Sequence, residues 1–181
     1  IKEVSGEFNG ITFMKEGNTF AFLFMEKKDQ KGAELWVSKS GSTAEKILAD
    51  ATAFAPNGWI ISDSGRLKFS DNGSRLQFST APMPREVDNS ILASKRPNVQ
   101  VWSWDEPVQY TAQDYNKDRD SKKTYTAIYD FSTGKALQIT TEEFPNLTTE
   151  ATLNADYALL SSSDAYSISS MWEGRTRNDY Y

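Results

Sequence analysis

Hydrophobic and polar residues alternate over short stretches of this chain, and glycine-containing turns separate the stretches. Residues 65–79 (GRLKFSDNGSRLQFS) repeat the pattern of residues 10–22 (GITFMKEGNTFAF). In each copy, alternating apolar residues give a strand one buried face, and a central Gly allows the positive φ of a tight reversal. Each copy therefore predicts a strand, a turn and a strand that bury their apolar face against another copy.

Four strands are predicted in a first unit that covers about residues 11–48. They lie at 11–14, 19–25, 34–38 and 45–48. Four short antiparallel strands in sequence are typical of one blade of a β-propeller. Residues 49–63 are the predicted crossing to the next blade, within which Trp59–Ile61 is either part of the crossing or a short strand.

A second unit is predicted over residues 65–140, with an insertion at 81–123. The insertion falls between two strands, where loops tolerate extra length. After it, aromatic and Ala side chains alternate over residues 124–131, and a Ser-Thr-Gly-Lys turn leads to a return strand at 136–140. This predicted hairpin closes the second blade.

Two elements are predicted inside the insertion. Residues 99–104 (VQVWSW) resume the strand pattern. The polar stretch 107–120 follows. Its Val108, Ala112 and Tyr115 are spaced by four and three residues, which predicts a short amphipathic helix.

A third, incomplete unit is predicted over residues 151–181. Residues 152–161 resemble the opening strands of the first two units, with Asn-Ala-Asp in place of the Gly turn. Residues 166–172 and 178–181 are then the middle of this blade, and the pattern predicts a fragment of a longer protein. The expected fold is all-β, a partial β-propeller of roughly two and a half four-stranded antiparallel blades with one short helix near 107–120.

Composition excludes several classes of function. The formal net charge is −5, with 25 Asp and Glu against 20 Lys and Arg, so no nucleic-acid partner is expected. The longest apolar run, at 20–25, has six residues against the roughly 20 of a membrane span, so no membrane partner is expected. The chain has no Cys and no His, which excludes thiolate and imidazole chemistry. No metal site and no cofactor are predicted.

Three segments resemble a known family. Residues 69–78 (FSDNGSRLQF) are similar to the repeat of TolB-like propellers and of the amino-terminal propeller of prolyl oligopeptidases and dipeptidyl-peptidase relatives. Residues 99–107 (VQVWSWDEP) followed by 123–130 (KTYTAIYD) are similar to large bacterial peptidases of this family, in which a Trp-x-Trp-x-x-Pro strand precedes an outer hairpin. The resemblance extends from about residue 10 to the end of the chain.

The resemblance implies a non-catalytic propeller segment of a serine peptidase. Such a propeller caps an α/β-hydrolase domain, which holds the catalytic Ser, Asp and His, and it filters peptides by size. No Gly-x-Ser-x-Gly elbow occurs in this chain, so we expect no catalytic residue here and no enzyme activity from the chain by itself. The implied partners are the hydrolase domain of the same polypeptide and peptide substrates, and the implied location is periplasmic or secreted.

Glu142 and Glu143 are a candidate ligand contact. Some dipeptidyl-peptidase relatives hold the amino terminus of a substrate with paired glutamates from the propeller. The surroundings of this pair do not match the glutamate helix of those relatives. An exposed charged turn before Pro145 is the simpler interpretation.

Trp102 and Trp104 are a second candidate ligand contact. Alternation places both on one face of the predicted strand at 99–104. With Tyr110 and Tyr115 they would form a stacking platform for sugar rings, whereas burial between blades is the commoner use of such residues.

Two alternatives to the peptidase hypothesis follow from these observations. One is a TolB-like scaffold propeller that binds proteins across its face, because the same blades serve both functions. The other is a carbohydrate-binding β module built on the aromatic platform. In all three cases, open blade edges favour self-association.

Overall fold

The computed structural model describes residues 5–26, 32–40, 42–84, 90, 92–95, 99, 101, 103 and 105–181. Over these residues the fold is all-β, with antiparallel sheets and two short α-helices, and it is consistent with a partial β-propeller. The first sheet contains, in spatial order, β1 (Glu7–Phe13), β2 (Thr19–Met25), β3 (Glu34–Lys39) and β4 (Glu45–Leu48). The four strands predicted for the first unit are present in one sheet, but β1 begins at Glu7, four residues before the predicted start.

The second sheet has the order β5-β7-β8-β9, and β6 also pairs with β7. Its strands are β5 (Trp59–Ile61), β6 (Lys68–Phe69), β7 (Arg75–Pro82), β8 (Tyr125–Asp130) and β9 (Lys135–Gln138). The third sheet consists of β10 (Asn146–Thr148), β11 (Leu159–Ser162) and β12 (Asp179–Tyr180). The two helices are α1 (Tyr110–Asp120) and α2 (Ser167–Glu173).

β5 and β6 are two halves of one interrupted strand, because both pair with the same edge of β7. Between them the chain loops out, and Ser79 holds the loop by accepting hydrogen bonds from Ser62 N at its backbone O (2.9 Å) and from Arg66 N at its Oγ (3.2 Å). Gly65 in this loop has φ +99°, and a Cβ there would lie 2.8 Å from Ser79 Cβ. Trp59–Ile61 is thus a strand, and the second sheet begins before residue 65.

The repeated segments form matching turns. In the first turn, Met14 N donates to Thr19 O and Gly17 N donates to Met14 O, each at 2.8 Å. The second turn repeats both bonds at 2.9 Å with Ser70, Gly73 and Arg75 in the equivalent places. The central glycines have φ of +75° and +70°, a conformation that other residues adopt only with strain.

The hydrophobic core lies between the first and second sheets. Phe78 is completely buried in it, and Phe54 from the β4–β5 connection packs edge-on against the Phe78 ring at a centroid distance of 5.7 Å. The other principal core residues are Ala21, Leu23, Leu35, Val37, Ile61, Phe69, Leu76, Ala127 and Tyr129. Alternate residues of β2, β3, β7 and β8 supply this face, as strand periodicity requires.

The third sheet corrects two predictions. The reversal between β10 and β11 does not centre on Asn-Ala-Asp but on Leu153, which has φ +59° and donates from its N to Glu150 O (3.2 Å). Residues 166–172 do not form a strand, because a 3₁₀ turn over Asp164–Tyr166 continues into α2. Gly174 ends α2 with φ +66° and donates to Ser170 O. The predicted strand at 178–181 is confirmed as β12.

The insertion contains the predicted helix, α1, but not the predicted amphipathic face. None of the eleven residues of α1 is buried, and Tyr115 is 88% exposed. The strand predicted at 99–104 is wrong as far as its described residues go, because Val99, Val101 and Ser103 have no strand pairing. Trp102 and Trp104 lie outside the described residues.

Strand reversals define two faces of the molecule, because successive antiparallel strands turn at opposite ends of a sheet. One end carries the reversals β1–β2, β3–β4, β6–β7, β8–β9 and β10–β11, and we name it the tight-turn face. The other end carries the connections β2–β3, β4–β5, β7–β8, β9–β10 and β11–β12, and we name it the long-connection face. Both helices belong to the long-connection face.

Candidate functional site on the long-connection face

The tight-turn face is cross-linked from sheet to sheet. Lys15 Nζ pairs with Asp71 Oδ2 at 2.8 Å and lowers the pKa of that carboxyl. Asp71 N donates to Thr152 O (2.9 Å), and Asn72 N donates to Asn154 Oδ1 (3.1 Å). The turns of all three sheets are therefore joined, and their polar groups serve the packing of the sheets.

A groove between the second sheet and the β10–β11 turn also lies on the tight-turn side. Its volume is about 420 Å³, and Ile128, Leu137 and Leu153 are among the residues that line it. Arg75 at its rim is already engaged, because it donates to Ala155 O at 2.6 Å and pairs with Asp156. We therefore regard this groove as part of the contact between the second and third sheets.

A larger cavity lies on the long-connection face, between the insertion and α2. Its volume is about 570 Å³. Its apolar lining includes Val101 and Val108 from the insertion and Met171 and Trp172 from α2. Trp172 is 86% exposed, which is unusual for so large an apolar ring and marks a surface able to bind another molecule.

The polar lining of the cavity comes from the insertion. Gln113 Nε2 donates to Val108 O at 2.8 Å and reaches Glu106 Oε2 at 3.5 Å, so α1 fixes the segment that precedes it. The Glu106 carboxylate and the Ser103 hydroxyl also line the cavity. This combination suits an extended segment that presents an apolar side chain next to N–H groups or a positive charge.

Tyr125 lies at the base of the insertion, where β8 begins. Its ring contacts Trp59 at a centroid distance of 4.6 Å, and Lys123 Nζ lies 5.5 Å from its ring centre. Burial raises the pKa of the Tyr125 phenol, and the negative charges of Glu142 and Asp164 raise it further. Carboxylates from two different connections of this face therefore both disfavour ionisation of the same buried phenol.

Glu142 and Glu143 lie on an exposed turn of the β9–β10 connection. Thr141 N donates to Phe144 O (3.2 Å), and Phe144 N donates back to Thr141 Oγ1 (3.3 Å), which closes the turn. Both glutamates share the long-connection face with the 570 Å³ cavity, but neither lines it. The geometry of an exposed turn agrees with the simpler interpretation of this pair.

The aromatic platform is not assembled by its described members. Tyr110 and Tyr115 lie on α1 five residues apart, which separates them by about 140° around the helix axis. The two rings therefore do not share one face. Trp102 and Trp104, the other members, lie outside the described residues.

Sequence reasoning missed the residues that line the cavity from α2. Met171 and Trp172 were expected within a strand, although the helix-ending Gly174 and the preceding Ser-rich segment are signals for a helix. Glu106 was not singled out, because the α2 side of the cavity comes from a connection that is distant in the sequence. Local patterns do not report contacts between separate connections.

Two further findings concern the described residues. They contain no group of three or more acidic residues that could hold a metal ion. No helix among them is long and apolar enough to cross a membrane. In comparisons with known proteins, no family model matches the chain, and a search of curated protein sequences finds no match either.

Proposed function

We propose that this chain is a non-catalytic propeller segment of a prolyl-oligopeptidase-like serine peptidase, and that its long-connection face contacts peptide substrates. The proposal rests on the 570 Å³ cavity, which combines exposed apolar residues with the Glu106 carboxylate. An extended peptide fits such a site because it offers side chains and free backbone N–H groups together. A folded protein offers few of either.

In this proposal the chain selects substrates and a hydrolase domain of the same polypeptide cleaves them. The proposed location is periplasmic or secreted. The family resemblance carries these parts, and the coding sequence on both sides of the 181 residues tests them. A Gly-x-Ser-x-Gly segment with a later Asp and His in the same reading frame is expected, and an open reading frame without them would contradict the peptidase assignment.

A binding measurement tests the role of the face separately. Fluorescently labelled extended peptides with apolar and basic residues are titrated into the chain, and anisotropy reports binding. We expect saturable binding that Trp172→Ala weakens by about tenfold, since a large apolar contact is lost. Tyr115→Ala is the matched control, because this exposed aromatic of α1 does not line the cavity.

Three outcomes would count against the proposal. Equal loss of binding in Trp172→Ala and Tyr115→Ala would show that the cavity has no special role. Hydrolysis of peptides by the purified chain alone would show that the chemistry does not lie in another domain. Binding of a folded protein in preference to extended peptides would favour the alternative function of a protein-binding scaffold.

A further inference from the structure

The sequence contains the dipeptide Asn-Gly three times, at residues 9–10, 57–58 and 72–73. In such a pair the backbone nitrogen of Gly can attack the side-chain carbonyl carbon of Asn, because glycine has no Cβ that hinders the approach. The attack needs a free amide nitrogen, a free Asn side chain and space for the five-membered ring that forms. The fold meets these three conditions differently at the three pairs.

The pair Asn57-Gly58 lies in an exposed turn that leads into β5. Trp59 N donates to Pro56 O at 3.1 Å, and Gly58 has φ +79° at the third place of the turn, as a type II turn requires. Among the residues that the structure describes, neither Gly58 N nor the Asn57 side chain has a hydrogen-bond partner. A Cβ at Gly58 would have no neighbour within 4 Å. This pair is therefore free to react and has room for the ring.

The pair Asn72-Gly73 is held in the tight turn between β6 and β7. Gly73 N donates to Ser70 O at 2.9 Å. Asn72 Oδ1 accepts hydrogen bonds from Ser70 Oγ (2.8 Å), Ser74 N (3.0 Å) and Ser74 Oγ (2.7 Å). Met14 covers the turn, because its Sδ lies 2.8 Å from the place that a Cβ of Gly73 would take. The amide nitrogen, the Asn side chain and the space beside them are therefore all engaged.

The third pair, Asn9-Gly10, lies within β1. Asn9 is opposite Leu23 of β2, so pairing between the two strands restrains its backbone. Gly10 lies beside apolar side chains, because a Cβ there would be 3.6 Å from Leu23 Cδ1 and 3.9 Å from Leu67 Cβ. The pair at 57–58 is thus the most open of the three.

We propose that Asn57 is a site of spontaneous deamidation and that the fold protects Asn72 from the same reaction. The Gly58 nitrogen gives its proton to a hydroxide ion and bonds to Asn57 Cγ. The Cγ–Nδ2 bond then breaks, and Nδ2 takes up a proton and leaves as ammonia. Water opens the resulting cyclic imide at either of its carbonyl carbons, which gives aspartate or isoaspartate. This inference does not depend on the proposed function.

The isoaspartate product changes the turn more than the aspartate product does. Both products add a negative charge, but isoaspartate also lengthens the backbone before Gly58 by a methylene group. Gly58 O accepts a hydrogen bond from Met83 N at 2.9 Å, and the neighbouring Trp59 packs on Tyr125, so this turn fixes the start of β5 against β7. We therefore expect isoaspartate at this position to weaken the attachment of β5 to the second sheet.

Peptide mapping by mass spectrometry tests the proposal on the full chain aged at mildly alkaline pH. In the folded chain, Asn57 should react at least about tenfold faster than Asn72, because Asn72 reacts only after several hydrogen bonds break. In guanidinium chloride the two residues should react at similar rates, since Gly follows both. Ser74→Ala removes one hydrogen bond to Asn72 Oδ1, so it should speed the reaction at Asn72 and leave that at Asn57 unchanged.

Asn57→Asp separates the effect of the charge from that of the lengthened backbone. This variant carries the new charge on a normal backbone, so its midpoint of urea denaturation should match that of the wild type. The aged chain with isoaspartate at position 57 should unfold at a lower urea concentration. Equal rates at Asn57 and Asn72 in the folded chain, or an Asn57 that reacts only in guanidinium chloride, would overturn the proposal.

Discussion

The two faces of this molecule are made from the same strands but use their residues differently. On the tight-turn face, reversals such as 14–19 and 70–75 are short, repeat each other's hydrogen bonds and bind the turns of neighbouring sheets. On the long-connection face, the connections vary in length and carry both helices. Regular turns thus fix the packing of the sheets, and the irregular connections are free to form a binding surface.

Electrostatic contacts differ in the same way between the two faces. Asp71 of the tight-turn face faces Lys15, and Asp130 accepts hydrogen bonds from Ser132 and Thr133, so the pKa of each carboxyl is lowered. On the long-connection face, Glu142 and Asp164 act on the buried Tyr125 and raise the pKa of its phenol. The Glu142 and Asp164 carboxylates thus raise the pKa of a buried phenol, whereas Asp71 and Asp130 are held by partners in the tight turns.

The largest expected effect contrasts the core with the long-connection face. Phe78→Ala removes a completely buried ring and leaves a cavity, so we expect a loss of about 3–5 kcal/mol in the free energy of unfolding. Trp172→Ala removes a ring that is 86% exposed and should change that free energy by no more than about 0.5 kcal/mol. Urea denaturation measures both, and similar losses would contradict the assignment of Trp172 to a binding surface.

A second contrast uses one asparagine from each face. Asn72 Oδ1 accepts hydrogen bonds from Ser70 Oγ (2.8 Å), Ser74 N (3.0 Å) and Ser74 Oγ (2.7 Å), so Asn72→Ala should destabilise the fold by about 1 kcal/mol. Asn57→Ala, in the exposed turn of the β4–β5 connection, is the matched control, with an expected change below about 0.5 kcal/mol. The midpoint temperature of thermal unfolding is measured for both variants. Equal shifts of this temperature would mean that the hydrogen bonds of Asn72 in the tight turn add no stability.

The raised pKa of Tyr125 predicts a dependence of stability on alkaline pH. In the unfolded chain the Tyr125 phenol titrates at about pH 10. The folded chain keeps the phenolic proton to a higher pH. This stabilisation is therefore present below about pH 10 and is lost as the pH rises further. Tyr125→Phe should reduce this loss of stability at alkaline pH. It should not abolish the loss, because the pKa of Tyr166 is also raised.

Urea denaturation from neutral to alkaline pH measures this dependence. Tyr115→Phe serves as the control, because Tyr115 is exposed and its replacement should leave the wild-type profile unchanged. A steeper alkaline loss in Tyr125→Phe than in the wild type would show that the environment of Tyr125 is not the one described.

The smallest effect concerns the ion pair between two tight turns. Lys15 and Asp71 lie 2.8 Å apart at the surface, where solvent and salt weaken such a pair. Lys15→Gln should lower the midpoint of urea denaturation slightly at low salt and not measurably at high salt. Lys117→Gln on α1 is the control for a change of net charge, and a salt-independent loss in Lys15→Gln would assign the effect to packing instead.

The elements that follow local rules could be predicted from the sequence. The strands around Gly17 and Gly73 were predicted because alternation and a glycine turn act together within a few residues. The third reversal was misplaced because Leu153 adopts a positive φ, which its residue type does not signal. Its burial against the second sheet accounts for this conformation, and only the folded structure contains that contact.

The candidate site could be predicted only in part. The insertion and α1 were expected from the loss of strand pattern after Pro82 and from the spacing of apolar residues at 108–115. The part of the cavity lining that comes from α2 was missed, because residues 166–172 also fit a strand when the helix-ending Gly174 is not considered. The cavity depends on contacts between two connections that are about sixty residues apart, and such contacts leave no local pattern.

Hydrogen–deuterium exchange with and without an extended peptide tests the difference between the two faces most directly. The account predicts slow exchange at Asp71 and Ser70 of the tight-turn face in both samples, because their amides donate to backbone carbonyls. It predicts that peptide slows exchange in segments 105–113 and 163–173 of the long-connection face. Peptide-induced protection confined to segments 14–19 or 70–75 would contradict the account.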